Sequence, residues 1–416
     1  MATSPSALPI GQLPPVGEIP DSMLAQVIRR ERFGEPRDAF QVEEVGLPPM
    51  GPDEVLVGVM AAGINYNNVW AAKGVPIDVI GVHEKLFGDT TGFHIGGSDA
   101  SGIVYAVGDK VRNVAVGDHV VTHCMQWDWD DPAVIHNPDP MFAPSVRVWG
   151  YETNWGSFAQ FTVVQDHQCM PKARHLTWEQ AAAPTLVGQT AYRMLHGWDV
   201  RVEPGDVVLV WGASGGLGCQ AVQLVVNAGG IAVAVVSSQE KGEYAVSLGA
   251  RGYINRNDFD HWGPPPDWRD SDAYAAWTKQ AQRFGKAIWG VVGERRNPRI
   301  VFEHPGEDTI PTSVYVVEPG GMVVVCAGTS GYMAHVDLRY LWMRQKRVQG
   351  SHASNALQAN RYNNLVRSTL IDPCLTRTFA FEEIGEAHQL MSENRLGLGN
   401  TAARVGAPHA GLTGAE

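Results

Sequence analysis

At 416 residues the chain is too long for one ordinary core, so about two domains are expected. Its 44% hydrophobic and 18% charged residues fit a soluble globular protein. A formal charge of -12 with no long basic run argues against nucleic-acid and anionic-membrane partners.

The opening segment "MATSPSALPIGQLPPVGEIP" lacks the basic start and apolar core of a signal peptide. No apolar run reaches the roughly 18 residues of a membrane span, so a cytoplasmic location is expected. Five scattered cysteines, Cys124, Cys169, Cys219, Cys326 and Cys374, are expected as free and mostly buried thiols.

In chain order, residues 1–186 carry short β-branched runs broken by Gly, Pro and Asp, among them "DEVLVGVMAAGIN", "SGIVYAVG", "DHVVTHC" and "FAQFTVV". This pattern predicts a strand-rich, barrel-like domain. Residues 187–338 switch to strand, helix, strand in "DVVLVWG", "GCQAVQLVVNAGG" and "IAVAVVSS", which predicts a parallel sheet wrapped by helices. Residues 339–416, with a helical stretch around "NNLVRSTLI", are too short for a domain and are expected to return to the first. The fold class is α/β: a β-rich domain plus a doubly wound parallel-sheet domain.

The strongest local signal is "VVLVWGASGGLGCQAVQLVVNAGG". Gly212, Gly215 and Gly218 lie between an apolar strand and a helix, where small residues and helix N–H groups accept a pyrophosphate; Ser214, Gly216 and Leu217 complete the loop. Gly212, Ser214 and Gly216 also have nucleophile-elbow spacing, with His304, His335 and His352 as later histidines, so a serine hydrolase is weighed. The next strand decides for a dinucleotide. About 20 positions on, where a carboxylate would read a free ribose hydroxyl, stand Ser237, Ser238 and Lys241. Hydroxyls and a cation suit a 2′-phosphate, so NADPH is expected, with Arg256 a second cation or a plain surface arginine.

"VWGYETNWGS" sets Glu152 among Trp149, Tyr151 and Trp155, a costly place for a carboxylate unless it is solvated, paired or used. The bland alternative is a surface turn. Asn65 and Asn67, two apart in "GINYNNVW", are expected on one face of a strand.

Taken together, these segments resemble the medium-chain dehydrogenase/reductase superfamily, with a GroES-like domain, an inserted nucleotide-binding domain and a returning C-terminus. Where its zinc enzymes carry a cysteine and then Gly-His-Glu, this chain has Asn65 and then Gly97, Ser98 and Asp99, and the four-cysteine loop is absent. No metal is therefore expected. "NYNNVWAAKG", "VWGYETNWGSFAQF", "LVGQTAYRML", "VFEHPGEDTIPTSVYVVEPGGMVVVCAGTSGYM" and "DLRYLWMRQKRVQGSHASN" resemble the crotonyl-CoA carboxylase/reductase family, as does the polar insertion between Arg256 and Val301.

That resemblance implies NADPH-dependent reduction of a 2-enoyl-CoA with capture of CO2 at the α-carbon, and a homotetramer built as a pair of dimers. It implies a CO2 pocket made by Asn67 in preference to Asn65, Tyr151, Glu152 and His352, with Glu152 orienting His352 or a water. The family has Phe where Tyr151 stands. Thr190 falls near the expected nicotinamide position, or caps a helix. Arg339, Arg344, Lys346 and Arg347 are candidates for the CoA phosphates, or a solvated helix face. A plain enoyl-CoA reductase and a non-catalytic NADPH-binding protein are the other readings.

Overall fold

The structure is a computed structural model that describes residues 7–414, so the first six residues of the opening segment lie outside the described residues. The chain divides into two compact units. The first comprises 1–186, 355–369 and 373–416, and the second 187–354 and 370–372.

In the first unit the ten-residue strand Glu54–Gly63, buried along nearly its whole length, organises a seven-stranded sheet. It pairs antiparallel with Ala100–Val107, Phe161–Gln165 and Asn400–Arg404. The run "EVLVGVMAAG" suits this place because a strand covered on both faces is apolar without alternation. Ser22–Arg29, Gln41–Gly46 and Phe93–Ile95 form a separate three-stranded sheet. Four of the five free cysteines are buried, and Cys326 is partly so.

In the second unit six parallel strands run in the spatial order Gly252–Asn255, Ile231–Val236, Val207–Trp211, Ile300–Glu303, Met322–Val325 and Arg347–Gly350. This is the doubly wound order that reverses between the first and fourth strands, leaving a crevice at their C-terminal ends. Arg347–Gly350 pairs with Met322–Val325, so the return to the first unit begins at Asn355 and not at 339. The short basic run ending in Arg347 extends the sheet instead of leaving it.

The polar insertion contains a 22-residue helix, Ser271–Val292, capped by the Asp270 carboxylate on Ala273 N–H at 3.1 Å and stopped by Gly293 at φ 89°. Trp277, Ala281, Phe284, Ile288 and Val292 recur three or four residues apart and form its buried stripe. Phe284 stacks on Trp211 with ring centroids 5.7 Å apart, within the core that covers one face of the parallel sheet. No helix among the described residues is long and apolar enough to cross a membrane.

Candidate active site

The glycine loop lies at the sheet's reversal point. Val207–Trp211 ends in Gly212 at φ 57°, and Gly215 precedes the helix Gly216–Asn227. A Cβ at Gly218 would collide with the Gly212 carbonyl, and one at Gly212 with the His304 ring, so both positions require glycine. The N–H groups of Gly216, Leu217 and Gly218 precede the first closing bond, from Cys219 N to Gly215 O at 2.9 Å, and no side chain caps them. Unspent donors and a missing Cβ are what a pyrophosphate needs. Ser214 is buried and no histidine hydrogen-bonds it among the described residues, so the nucleophile elbow has no base.

Ser237 and Ser238 follow the strand Ile231–Val236. Lys241 Nζ donates to Ser237 Oγ at 3.2 Å, and Ser238 Oγ caps the next helix by accepting Lys241 N–H at 3.3 Å. Asn257 Nδ2 holds the Ser237 carbonyl at 2.8 Å. Arg256, exposed just after Gly252–Asn255, makes no ion pair among the described residues. Burial lowers the pKa of His304 to about 4, with a backbone bond at Trp211 opposing and the nearby Arg256 charge assisting. A cationic, hydroxyl-lined position thus stands where a 2′-phosphate would sit, and the residues fit NADPH.

In the first unit the expected strand carrying two asparagines is instead a turn. Asn68 N–H bonds the Asn65 carbonyl at 3.2 Å, and Asn67 opens the helix Asn67–Lys73. The two amides consequently face different partners. Asn65 Nδ2 donates to Asp99 Oδ2 at 2.8 Å, whereas Asn67 Nδ2 donates to Ser98 Oγ at 2.8 Å and its Oδ1 accepts from Asn68 at 3.1 Å. Asp99 is fully buried and also accepts Thr185 Oγ1 at 2.5 Å and Leu186 N–H at 2.6 Å. Burial raises its pKa to about 7 against the pull of Thr185, Asn65 and Leu186.

The Glu152 turn is fastened to the same loop. Gly156, Ser157 and Phe158 N–H groups bond the carbonyls of Ile95, Gly97 and Gly96 at 2.8, 2.9 and 3.0 Å. A Cβ at Gly150 or Gly156 would strike the Gly96–Gly97 backbone, which explains both glycines of "VWGYETNWGS". Glu152 is half-buried, and its Oε2 accepts Val148 N–H at 2.8 Å across the turn. Trp149 is fully buried and Tyr151 nearly so. The imidazole of His83 accepts the Asn154 N–H on one nitrogen and faces Asp89 at 3.3 Å on the other, pinning the turn from behind.

His352 lies in the second unit, in the loop after Arg347–Gly350. Thr190 is buried in the middle of the helix Thr185–His196, so it caps no helix. The basic cluster is dispersed. Arg339 pairs with Asp337 at 2.6 Å, Lys346 donates to the Val314 and Tyr315 carbonyls at 2.8 and 2.9 Å, and Arg347 faces Asp199 at 3.6 Å. Arg344 is exposed. Arg339 also lines a cavity of about 550 Å³ with Pro265, Trp268, Tyr274, His335 and Asp337.

Sequence reasoning passed over Asp99 as a lost zinc position, and Glu303 altogether. Glu303 is fully buried, accepts Thr309 and Ser313 hydroxyls at 2.7 Å each, and has its pKa raised to about 7 by burial. The signal was present in each case as a lone carboxylate beside an apolar strand. Among the described residues no group of three or more His, Cys, Asp or Glu is placed to hold a metal ion.

Residues 51–174 match the alcohol dehydrogenase GroES-like domain and residues 216–369 the zinc-binding dehydrogenase domain. Over 404 residues the chain is 52% identical to the crotonyl-CoA carboxylase/reductase of Cereibacter sphaeroides, covering 97% of this chain and 92% of that protein. The chain belongs to the crotonyl-CoA carboxylase/reductase family. A crotonyl-CoA reductase of Streptomyces collinus is 40% identical, covering 88% and 83%. Among solved structures, the family member AntE in complex with NADP superposes with a TM-score of 0.94 at 53% identity, covering 97% of this chain and 100% of that one. The 2-octenoyl-CoA carboxylase reductase CinF, in complex with NADP and 2-octenoyl-CoA, gives a TM-score of 0.88 at 38% identity, covering 96% and 91%.

Proposed function

We propose that this protein catalyses the NADPH-dependent reductive carboxylation of a 2-enoyl-CoA of the crotonyl-CoA type to a 2-carboxyacyl-CoA. The observation that carries the reading is the site in which an amide turn, Asn65 to Asn68, and a carboxylate turn, Tyr151 to Glu152, are fastened to one loop at Gly96–Asp99. Bound NADPH, held by Gly212 to Gly218 and by Ser237, Lys241 and Arg256, supplies the hydride that reduces the β-carbon.

The electron pair left on the α-carbon forms a bond to the carbon of CO2, and the new carboxylate takes the charge. Water competes, because a proton at the α-carbon ends the reaction as the simple acyl-CoA. The protein must therefore hold CO2 and exclude water. Asn67 keeps one amide N–H beyond its bond to Ser98, a donor for a CO2 oxygen. Glu152 is fixed through one oxygen and has the other to orient a water, while Tyr151 screens the pocket.

For oligomeric state, the reading is a homotetramer. Arg347–Gly350 is the sheet's edge strand, and Val348, Trp342, Met343 and Met333 are exposed in that part of the chain, as expected of a subunit interface.

The test is NADPH oxidation with crotonyl-CoA, with and without bicarbonate and carbonic anhydrase, followed by mass spectrometry. A product heavier by one CO2 is expected. Butyryl-CoA alone would leave a plain reductase, and tight NADPH binding without turnover of any enoyl-CoA would leave a binding protein.

A further inference from the structure

We propose that Asp99 is a positioning residue that sets the polarity of the Asn65 amide, so that Asn65 turns its carbonyl oxygen outward while the neighbouring Asn67 offers an N–H. The inference rests on the proposed carboxylase reading for its product assay, though not for its geometry.

The argument begins with which atoms are spent. Asp99 is fully buried, and three donors converge on it: Asn65 Nδ2 on Oδ2, and Thr185 Oγ1 and Leu186 N–H on Oδ1. In its ionised form Asp99 can only accept, and the three donors around it favour that form, so the Asn65 amide presents its nitrogen inward. Asn65 Oδ1 has no partner among the described residues and is not sealed from solvent. Gly63 keeps the carboxylate close, because a Cβ there would press on the Asp99 side chain. Two residues on, Asn67 has its oxygen taken by Asn68 and one N–H given to Ser98, leaving an N–H.

The turn therefore offers one acceptor, from Asn65, and one donor, from Asn67. CO2 has an electrophilic carbon and two accepting oxygens, so an acceptor facing the carbon beside a donor facing an oxygen matches it, whereas two donors would leave the carbon unmet. The carboxylate at the position where zinc relatives have a glutamate thus acts here through an amide.

Asp99→Asn gives a sharp perturbation. The new amide keeps the Thr185 and Leu186 donors only by turning its own NH2 toward Asn65, which must then flip and present N–H outward. The expected result is at least a fivefold fall in the ratio of carboxylated to simply reduced product, with NADPH Kd unchanged within twofold. The exchanged pair Asn65→Asp with Asp99→Asn restores a donor-to-acceptor bond and an outward oxygen, and is expected to recover the ratio to within twofold of wild type. Asn65→Ala, which removes the amide and leaves no buried charge unpaired by Thr185 and Leu186, is expected to lower the ratio as Asp99→Asn does.

An Asn65→Ala protein with the wild-type ratio overturns the inference, even if Asp99→Asn fails to fold. A folded exchanged pair no better than Asp99→Asn overturns it as well. Wild-type protein that forms no carboxylated product refutes the carboxylase reading instead. In that case the same variants are scored on kcat for simple reduction, where an unchanged kcat in Asn65→Ala overturns the inference.

Discussion

Replacing Lys241 with alanine should convert a strongly NADPH-selective protein into a weakly selective one. Lys241 Nζ reaches Ser237 Oγ at 3.2 Å and makes no ion pair among the described residues, so its charge is available to a 2′-phosphate. The cap of the following helix survives the change, because it uses the Lys241 backbone N–H. Losing one hydrogen bond to a charged group costs about 1.5–3 kcal/mol, or about 10- to 150-fold in affinity. Arg256 remains as a second cation, so the lower part of that range, about 10- to 30-fold, is expected for NADPH. NADH has no 2′-phosphate and should be unaffected within about twofold. Fluorescence titration of both cofactors reads the difference. Equal weakening of NADH and NADPH, or none of either, would refute the assignment of this position to the 2′-phosphate.

Other outcomes follow from the same geometry. Gly218→Val should abolish NADPH binding, measured calorimetrically, because its side chain would occupy the space of the Gly212 carbonyl. Phe284→Ala should cost about 3–5 kcal/mol in denaturant unfolding, since the ring is fully buried against Trp211. Val348→Lys on the edge strand should shift the particle toward smaller assemblies in light scattering, with little effect on unfolding of each subunit.

Stability should also depend on pH through buried groups that act in opposite directions below neutral pH. The raised pKa of Glu303, about 7, gives stability that is complete below about 4.5 and is lost as pH rises through 7. The lowered values of His94, about 3, and His388, about 4, give stability present above about 6.5 and lost as pH falls through those values. Glu303→Gln should remove a loss on the order of 3 kcal/mol between about pH 4.5 and 7 in denaturant titrations, and an unchanged profile would contradict the assignment.

Much of this was legible in the sequence because local rules and tertiary context agree there. "VVLVWG" followed by spaced glycines reads as strand, turn and helix from steric arguments alone, and the structure bears this out at Gly212 and Gly218. Asn65 and Asn67 were misread as strand residues because the apolar run ahead of them ends at Gly63, two residues too early for the period to continue. The network around Asp99 was illegible for a different reason. Its donors, Asn65 and Thr185, lie 34 and 86 positions away, and only the folded chain brings them together. The basic residues 339–347 looked alike in sequence, but Asp337, the Val314 and Tyr315 carbonyls and Asp199 give three of them separate attachments.

The interrupted first unit has a consequence for how the protein must be made. Strand Glu54–Gly63 is synthesised more than 300 residues before its neighbour Asn400–Arg404. Lys172 and Trp178 wait in the same way for Thr413 and Gly414, whose carbonyls they hold at 3.0 and 2.9 Å. Until then an apolar strand edge stays open while the whole nucleotide-binding unit is translated. The nascent chain therefore has its greatest exposure to misassembly before Asn400–Arg404 appears, and a truncation ahead of residue 400 would injure the sheet that contains Glu54–Gly63.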